Sequence, residues 1–174
     1  MSDFNGAFLS GVALACAGFM AKEYITFQIK SHRLRRLLSA NAGETVSGFK
    51  SHLPSLEEIF KNLESDSANF IWEGEGSGSE PAFLADVPIY LSTGESTLAL
   101  RFYDVRGRID TIRAEFNTAI RNIIVDPNNR SQYTKIAQSC IHDLQRNYEE
   151  ACKTGTELCA ELRERIRYYD LDDY

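Results

Sequence analysis

No lysine or arginine stands before position 22 in this 174-residue chain, and all 19 lie at or after that point. Polar side chains are nearly missing from the same stretch: between positions 4 and 21 only Asn5 and Ser10 interrupt an apolar run. The missing positive start argues against a cleaved secretory signal, which needs a basic amino end where this chain carries Asp3. A lipoprotein signal needs a leucine three residues before its modified cysteine, whereas Ala13, Leu14 and Ala15 precede Cys16. Two readings are left, a membrane span or a helix buried in a soluble domain, because an apolar run of about 18 residues suits either.

Net positive charge is lacking too. At −6 the chain is poorly suited to neutralise phosphates, which gives no support to a nucleic-acid role, and none is expected. Three of the four cysteines cannot bridge one another within the chain: Cys140, Cys152 and Cys159 fall in one helix-patterned stretch. The closest two, Cys152 and Cys159, stand roughly 10 Å apart on a helix, beyond the reach of a bridge. Metal-ligand spacing is missing as well, since His32, His52 and His142 are scattered, and Cys140 and His142 point to different sides of a helix. The glycine-rich stretch 73–81 lacks the Lys-Ser/Thr ending of a phosphate loop and carries acidic residues that would repel phosphate. No nucleophile stands with a base and no carboxylates oppose each other, so the pattern offers no catalytic residue and implies no cofactor.

What the sequence does contain is strongly asymmetric. As a helix the apolar run is roughly 27 Å long, close to a hydrocarbon core, and Tyr24, Ile25, Phe27 and Ile29 extend it through the interface. A basic cluster follows: Lys22, Lys30, Arg33, Arg35 and Arg36. Lysine and arginine accumulate on the cytoplasmic side of a span. The expectation is therefore a single pass with the amino terminus outside and the rest in the cytosol. Within the run, Ala7, Gly11, Ala15 and Gly18 form a small-residue stripe of the kind that lets two spans associate, so a homo-oligomer is one expectation.

Beyond the basic cluster the pattern is helical. Residues 39–43 read as a helix end, which divides the first part of the chain into a span and interface (1–29), a basic juxtamembrane segment (30–43) and a short helix (44–64). That last segment carries Val46, Phe49, Leu53, Leu56, Phe60 and Leu63 on one face, with a restart expected at Pro54. Residues 65–92 read as an irregular Gly/Ser-rich connection whose apolar members, Phe70, Trp72, Phe83 and Ile89 among them, pack on the bundle. Residues 93–169 read as a long antiparallel hairpin. Ser92 and Glu95 form a capping box, and Leu98, Phe102, Val105, Ile109, Ile112 and Phe116 recur every three or four residues along one seam. The turn Asp126-Pro127-Asn128-Asn129 reverses the chain, and Ile141, Leu144, Tyr148, Leu158 and Leu162 supply the matching stripe, with Ala151 and Gly155 opposite bulky partners. Residues 170–174 are an acidic tail.

The expected fold class is thus all-α: one amino-terminal transmembrane helix and a cytosolic antiparallel bundle. The span, the basic residues after it and the segment from Pro88 to Ser92 leading into Leu100, Arg101, Phe102, Tyr103 and Asp104 resemble a widespread class of small bacterial inner-membrane proteins with a cytosolic helical hairpin. That resemblance implies a topology in the bacterial inner membrane and no activity. The function expected is a membrane-anchored interaction or scaffold module whose partners are the membrane and a protein. Two alternatives stand beside it: an oligomerising membrane effector that alters permeability, and an enzyme with a site near residues 70–90.

Overall fold

The computed structural model describes the backbone of residues 2–64 and 81–170, and the side chains of 11–63 and 81–167. All regular structure among these residues is helical: α1 (Ser2–Glu64), a 3-10 turn (Ala82–Asp86), α2 (Val87–Tyr90), α3 (Thr93–Val125), a second 3-10 turn (Pro127–Asn129) and α4 (Arg130–Asp170). The tail and most of the Gly/Ser-rich connection, with Phe70 and Trp72, lie outside the described residues.

The first departure from expectation is α1, a single helix of 63 residues. The helix end expected at 39–43 and the restart at Pro54 do not occur, so positions 30 and 44 mark no break in secondary structure. The reason lies in one continuous apolar stripe. Leu34, Leu38, Ala42, Val46, Phe49, Leu56, Ile59 and Leu63 are all buried and recur at helical spacing through the supposed boundary. Gly43 and Gly48 each weaken a helix by about 1 kcal/mol relative to alanine, less than burial of the large side chains around them returns at about 1.5–3 kcal/mol each. Pro54 removes one backbone donor and leaves the Lys50 carbonyl without its helical partner. Both residues are exposed, so water can satisfy that carbonyl.

The helix α3 begins as its capping box requires. Glu95 N donates to Ser92 Oγ at 3.3 Å, and Ser92 N donates to Glu95 Oε2 at 2.9 Å. Gly107 passes through its exposed side without interrupting it. The buried face holds Ala99, Phe102, Val105, Ile109, Phe116, Ala119, Ile120 and Ile123, while Leu98 and Ile112 are only half-buried. The seam is therefore rotated slightly from the expected one, toward Ala99 and Ile120.

Helix α4 packs against both α3 and α1 and runs antiparallel to each. Cys159 Sγ lies 3.6 Å from Ser39 O and Cys152 Sγ 3.9 Å from Val46 O, so rising numbers on α4 meet falling numbers on α1. Arg101 and Arg108 reach Glu150 from α3 at 3.3 and 3.4 Å. The stripe Ala137, Ile141, Leu144, Tyr148, Ala151, Leu158 and Leu162 is buried along its length. At Gly155 the three helices approach closely: a Cβ there would meet Val46 Cγ2 and would lie 2.7 Å from Phe102 Cε2. Seven residues earlier on α4, Tyr148 stacks on Phe49 with ring centroids 4.7 Å apart.

Candidate functional site: an apolar arm and the collar at its base

The core stripe of α1 starts at Ser31. Before it, residues 11–30 are exposed except for Gln28, which is half-buried. This arm presents large apolar side chains to solvent: Leu14 is 75% exposed, Met20 65%, Tyr24 65% and Ile25 57%. At about 100° per residue, the stretch 11–21 carries no polar side chain on any side, while Lys22, Glu23, Thr26 and Lys30 share one face of the remainder. A helix apolar on every side belongs in a core or a membrane. The bundle does not supply that core, so from Gly11 onward the reading of the run as a helix buried within its own domain does not hold.

Among the described residues no helix is long and apolar enough to cross a membrane. The physical reason is Lys22 and Glu23. From Gly11 the uninterrupted apolar stretch ends at Ala21, roughly 16 Å of helix against a hydrocarbon core of about 30 Å. The remainder of the expected span, residues 4–10 with Ala7 of the small-residue stripe, lies outside the residues whose side chains are described. Gly11, Ala15 and Gly18 lie on the exposed arm, and a Cβ at Gly11 or Gly18 would meet nothing within 4 Å.

At the base of the arm the chain returns as α2, forming a collar. Val87 is buried and Pro88 sits in the first turn, where its missing N–H costs nothing. Ser31 Oγ donates to Tyr90 O at 2.7 Å, Lys30 Nζ donates to the Tyr90 hydroxyl at 3.2 Å, and Phe27 and Tyr90 have ring centroids 5.5 Å apart. The Lys30 ammonium also lies 5.4 Å from the Tyr90 ring centroid. Its pKa is raised, chiefly by the hydrogen bond to Tyr90.

Beneath the collar sits a buried ion pair. Arg35 Nε donates to Glu95 Oε1 at 2.6 Å and Nη2 to Oε2 at 3.1 Å, while Nη1 donates to Ser31 Oγ at 2.7 Å. Glu95 is fully buried and Arg35 is 7% exposed. Burial would raise the Glu95 carboxyl, but the hydrogen bonds from Arg35 and Ser92 outweigh it and hold the pKa below its ordinary value. Glu95 thereby serves both as the cap of α3 and as the anion that fixes α3 against α1.

This corrects the reading of the basic cluster. Lys22, Lys30, Arg33 and Arg36 are exposed, but Arg35 is turned into the bundle. The signal was present in the spacing: Ser31, Arg35, Leu38 and Ala42 fall four, three and four apart on the inward face. Glu95 was placed as a cap, and its ionic partner, 60 residues away in sequence, was not.

The opposite end of the bundle carries a second exposed apolar group, with Ile124 57%, Val125 79% and Ile136 41% exposed around the hairpin turn. Beside Ile136 a cleft of about 400 Å³ runs between α3 and α4, lined by Ala119, Asn122 and Tyr133 among others. Among the described residues no three His, Cys, Asp or Glu side chains are grouped so as to hold a metal. Cys140, Cys152 and Cys159 are unbridged, and burial pushes all three thiols up in pKa, away from the reactive thiolate. Of the region proposed for an enzymatic site, residues 82–90 form the first 3-10 turn and the collar, and 70–80 lie outside the described residues.

No protein-family model, no curated protein and no solved structure matches this chain, so the resemblance to small inner-membrane proteins rests on the residues quoted for it alone.

Proposed function

We propose that this protein is a membrane-anchored interaction module, in which the arm of α1 enters a bilayer and the three-helix bundle is held at the cytosolic surface. One observation carries the reading: an exposed helix leaves the bundle at Ser31, and its outer stretch, residues 11–21, is apolar on every side and continues toward an apolar amino-terminal sequence. In water such a surface is strongly unfavourable, at about 25 cal/mol for each Å² of apolar area left exposed. A bilayer removes that cost along the stretch 11–21 once residues 4–10 complete the span. Exposed Lys22, Lys30, Arg33 and Arg36 at its carboxyl end favour the cytosol for the bundle. The apolar group at Ile124, Val125 and Ile136 then faces away from the membrane, where a protein partner can reach it.

The test is a dual alkaline phosphatase and fluorescent-protein fusion at Tyr174 in a bacterial host, read in separated fractions. Carbonate-resistant, membrane-bound fluorescence without phosphatase activity is the expected result. Soluble fluorescence would reject the anchor, and active phosphatase would reject the orientation.

A further inference from the structure

We infer that this protein pairs with a second copy of itself through the outer face of α3, the two helices running antiparallel, so that the two apolar arms leave the dimer at opposite ends. The proposed anchor enters only in the consequence, that the arms insert into two facing membranes, and the pairing names the protein partner which that reading left open.

One face of α3 runs from Leu100 to Val125 at alternating spacings of four and three, turned away from the core, and is exposed at every position. Charge on it is confined to Asp104 and Arg121. The four positions between them, Gly107, Thr111, Ala114 and Thr118, are all small and uncharged, which lets a second helix approach to about 8 Å. Reversed about the midpoint between Ile112 and Arg113, the face is its own complement. Leu100 then meets Val125 of the second copy, Asp104 meets Arg121, Gly107 meets Thr118 and Thr111 meets Ala114, each pair formed twice about a two-fold axis. Along one edge Arg108 also comes beside Glu115. Laid in the same direction, the two faces would set Asp104 against Asp104 and Arg121 against Arg121. Complementary charges fix register and suppress the wrong pairing, so the charge order selects the antiparallel one. Asp104 pairs within its own helix with Arg108 at 3.5 Å, whereas Arg121 has no ion pair or hydrogen bond among the described residues.

A buried group beside this face lacks a partner. Asn147 of α4 is 4% exposed; its Nδ2 donates to Asp143 O at 2.7 Å, and its Oδ1 accepts nothing among the described residues. It lines a groove of about 490 Å³ together with Gly107 and Thr111. An unsatisfied buried acceptor is costly. Thr118 of the second copy arrives over Gly107, where no side chain blocks the approach, and brings a hydroxyl that in the single copy donates only to its own Ala114 O.

The pairing sets the separation of the arms. Tyr103 Oη donates to Asn41 Oδ1 at 2.7 Å, and α1 and α3 run the same way along α4. The two-fold axis, about ten residues further along α3, is thus level with about position 50 of α1. Lys22 lies roughly 42 Å of helix back from there. Two bilayers holding the arms of one dimer therefore stand roughly 80 Å apart, with the paired bundles between them.

The experiment follows the full-length chain by analytical ultracentrifugation in mild detergent and on vesicles of phosphatidylcholine and phosphatidylglycerol, each variant being checked for unchanged helical circular dichroism. The native chain should sediment as a dimer. Arg121→Asp and Asp104→Arg should each weaken it by at least about tenfold. Their combination should restore it, because the exchange keeps opposite charges facing only between antiparallel helices. On mild oxidation, Leu100→Cys and Val125→Cys chains, each also carrying Cys16→Ser, should link to each other and not to themselves. Single charge variants that stay dimeric, or Leu100→Cys linking to itself, would overturn the inference, as would a combined variant that stays monomeric. A native chain that is monomeric yet retained on vesicles would overturn it and leave the anchored reading standing. A charge-dependent dimer that vesicles do not retain would overturn the anchor and leave the pairing. Vesicles carrying the native chain should cluster, read by light scattering, and those carrying Arg121→Asp should not; a retained dimer on dispersed vesicles would overturn the facing-membrane arrangement. Should the Asp104→Arg chain lose helicity, Ala114→Arg, which forces a bulky cation onto Thr111 of the second copy, is read for loss of the dimer in its place, and the cysteine pair reports the direction.

Discussion

Replacing Glu95 with glutamine separates its two roles. The amide keeps an acceptor oxygen for the Ser92 backbone N–H, so the capping box survives, but the charge facing Arg35 is lost. Arg35 is 7% exposed and donates to Glu95 through two nitrogens, so the variant takes the facing carboxylate charge away from a guanidinium in the interior. Removing one partner of a buried pair costs about 3–5 kcal/mol. Ser92→Ala, which removes the cap and leaves the pair, should cost only about 1 kcal/mol. Against a domain stability of about 5–15 kcal/mol the first loss is large and the second modest. Urea unfolding of the full chain in mild detergent, followed by circular dichroism, measures both. Glu95→Gln combined with Arg35→Met should recover most of the loss, because no isolated charge remains. A Glu95→Gln midpoint no lower than that of Ser92→Ala would refute the view that the pair is closed to solvent.

The same residue sets an acid limit. Its folded pKa lies below the ordinary 4.5, so the unfolded chain binds the proton more readily. Its contribution is complete above pH 4.5 and is lost as pH falls through the folded value. Midpoints measured from pH 7 down to pH 3 should fall more steeply for the native chain than for Glu95→Gln, and parallel curves would count against it.

Four further outcomes follow from packing and the arm. Gly155→Ala drives a methyl group into Val46 and Phe102, both buried, at an overpacking cost of about 1–3 kcal/mol. Gly107→Ala, with open space around it, should instead stabilise α3 by up to about 1 kcal/mol, and opposite shifts in thermal midpoint are the check. Leu14→Arg puts a charge in the middle of the proposed span at about 2.5–3.5 kcal/mol, so the carbonate-resistant fraction should drop sharply, and an unchanged fraction would argue against insertion. Gly11→Ile fills the small-residue stripe and should weaken crosslinking between copies in membranes if the arms pair there, without altering membrane retention.

The hairpin was legible because its signals are local. Ser92 and Glu95 announce the start of α3, Asp126 and Pro127 its end, and three-four spacing sets the buried face to within one position, Ala99 for Leu98. What escaped was decided by the third helix. Residues 39–43 look like a helix end because glycine, asparagine and serine weaken a helix locally, and only the packing of Leu38, Ala42 and Val46 against α4 carries α1 through them. Arg35 escaped for the same reason. A cationic side chain near an apolar run reads as a headgroup contact until a carboxylate 60 positions away is brought beside it. These two misreadings have one structural consequence. Because α1 is unbroken from the arm to Glu64, and Arg35 locks it to the cap of α3, there is no hinge among residues 30–64 between the apolar arm and the bundle. Any tilt imposed on the arm by a bilayer or by a second copy is therefore transmitted directly to the orientation of the distal surface at Ile124, Val125 and Ile136.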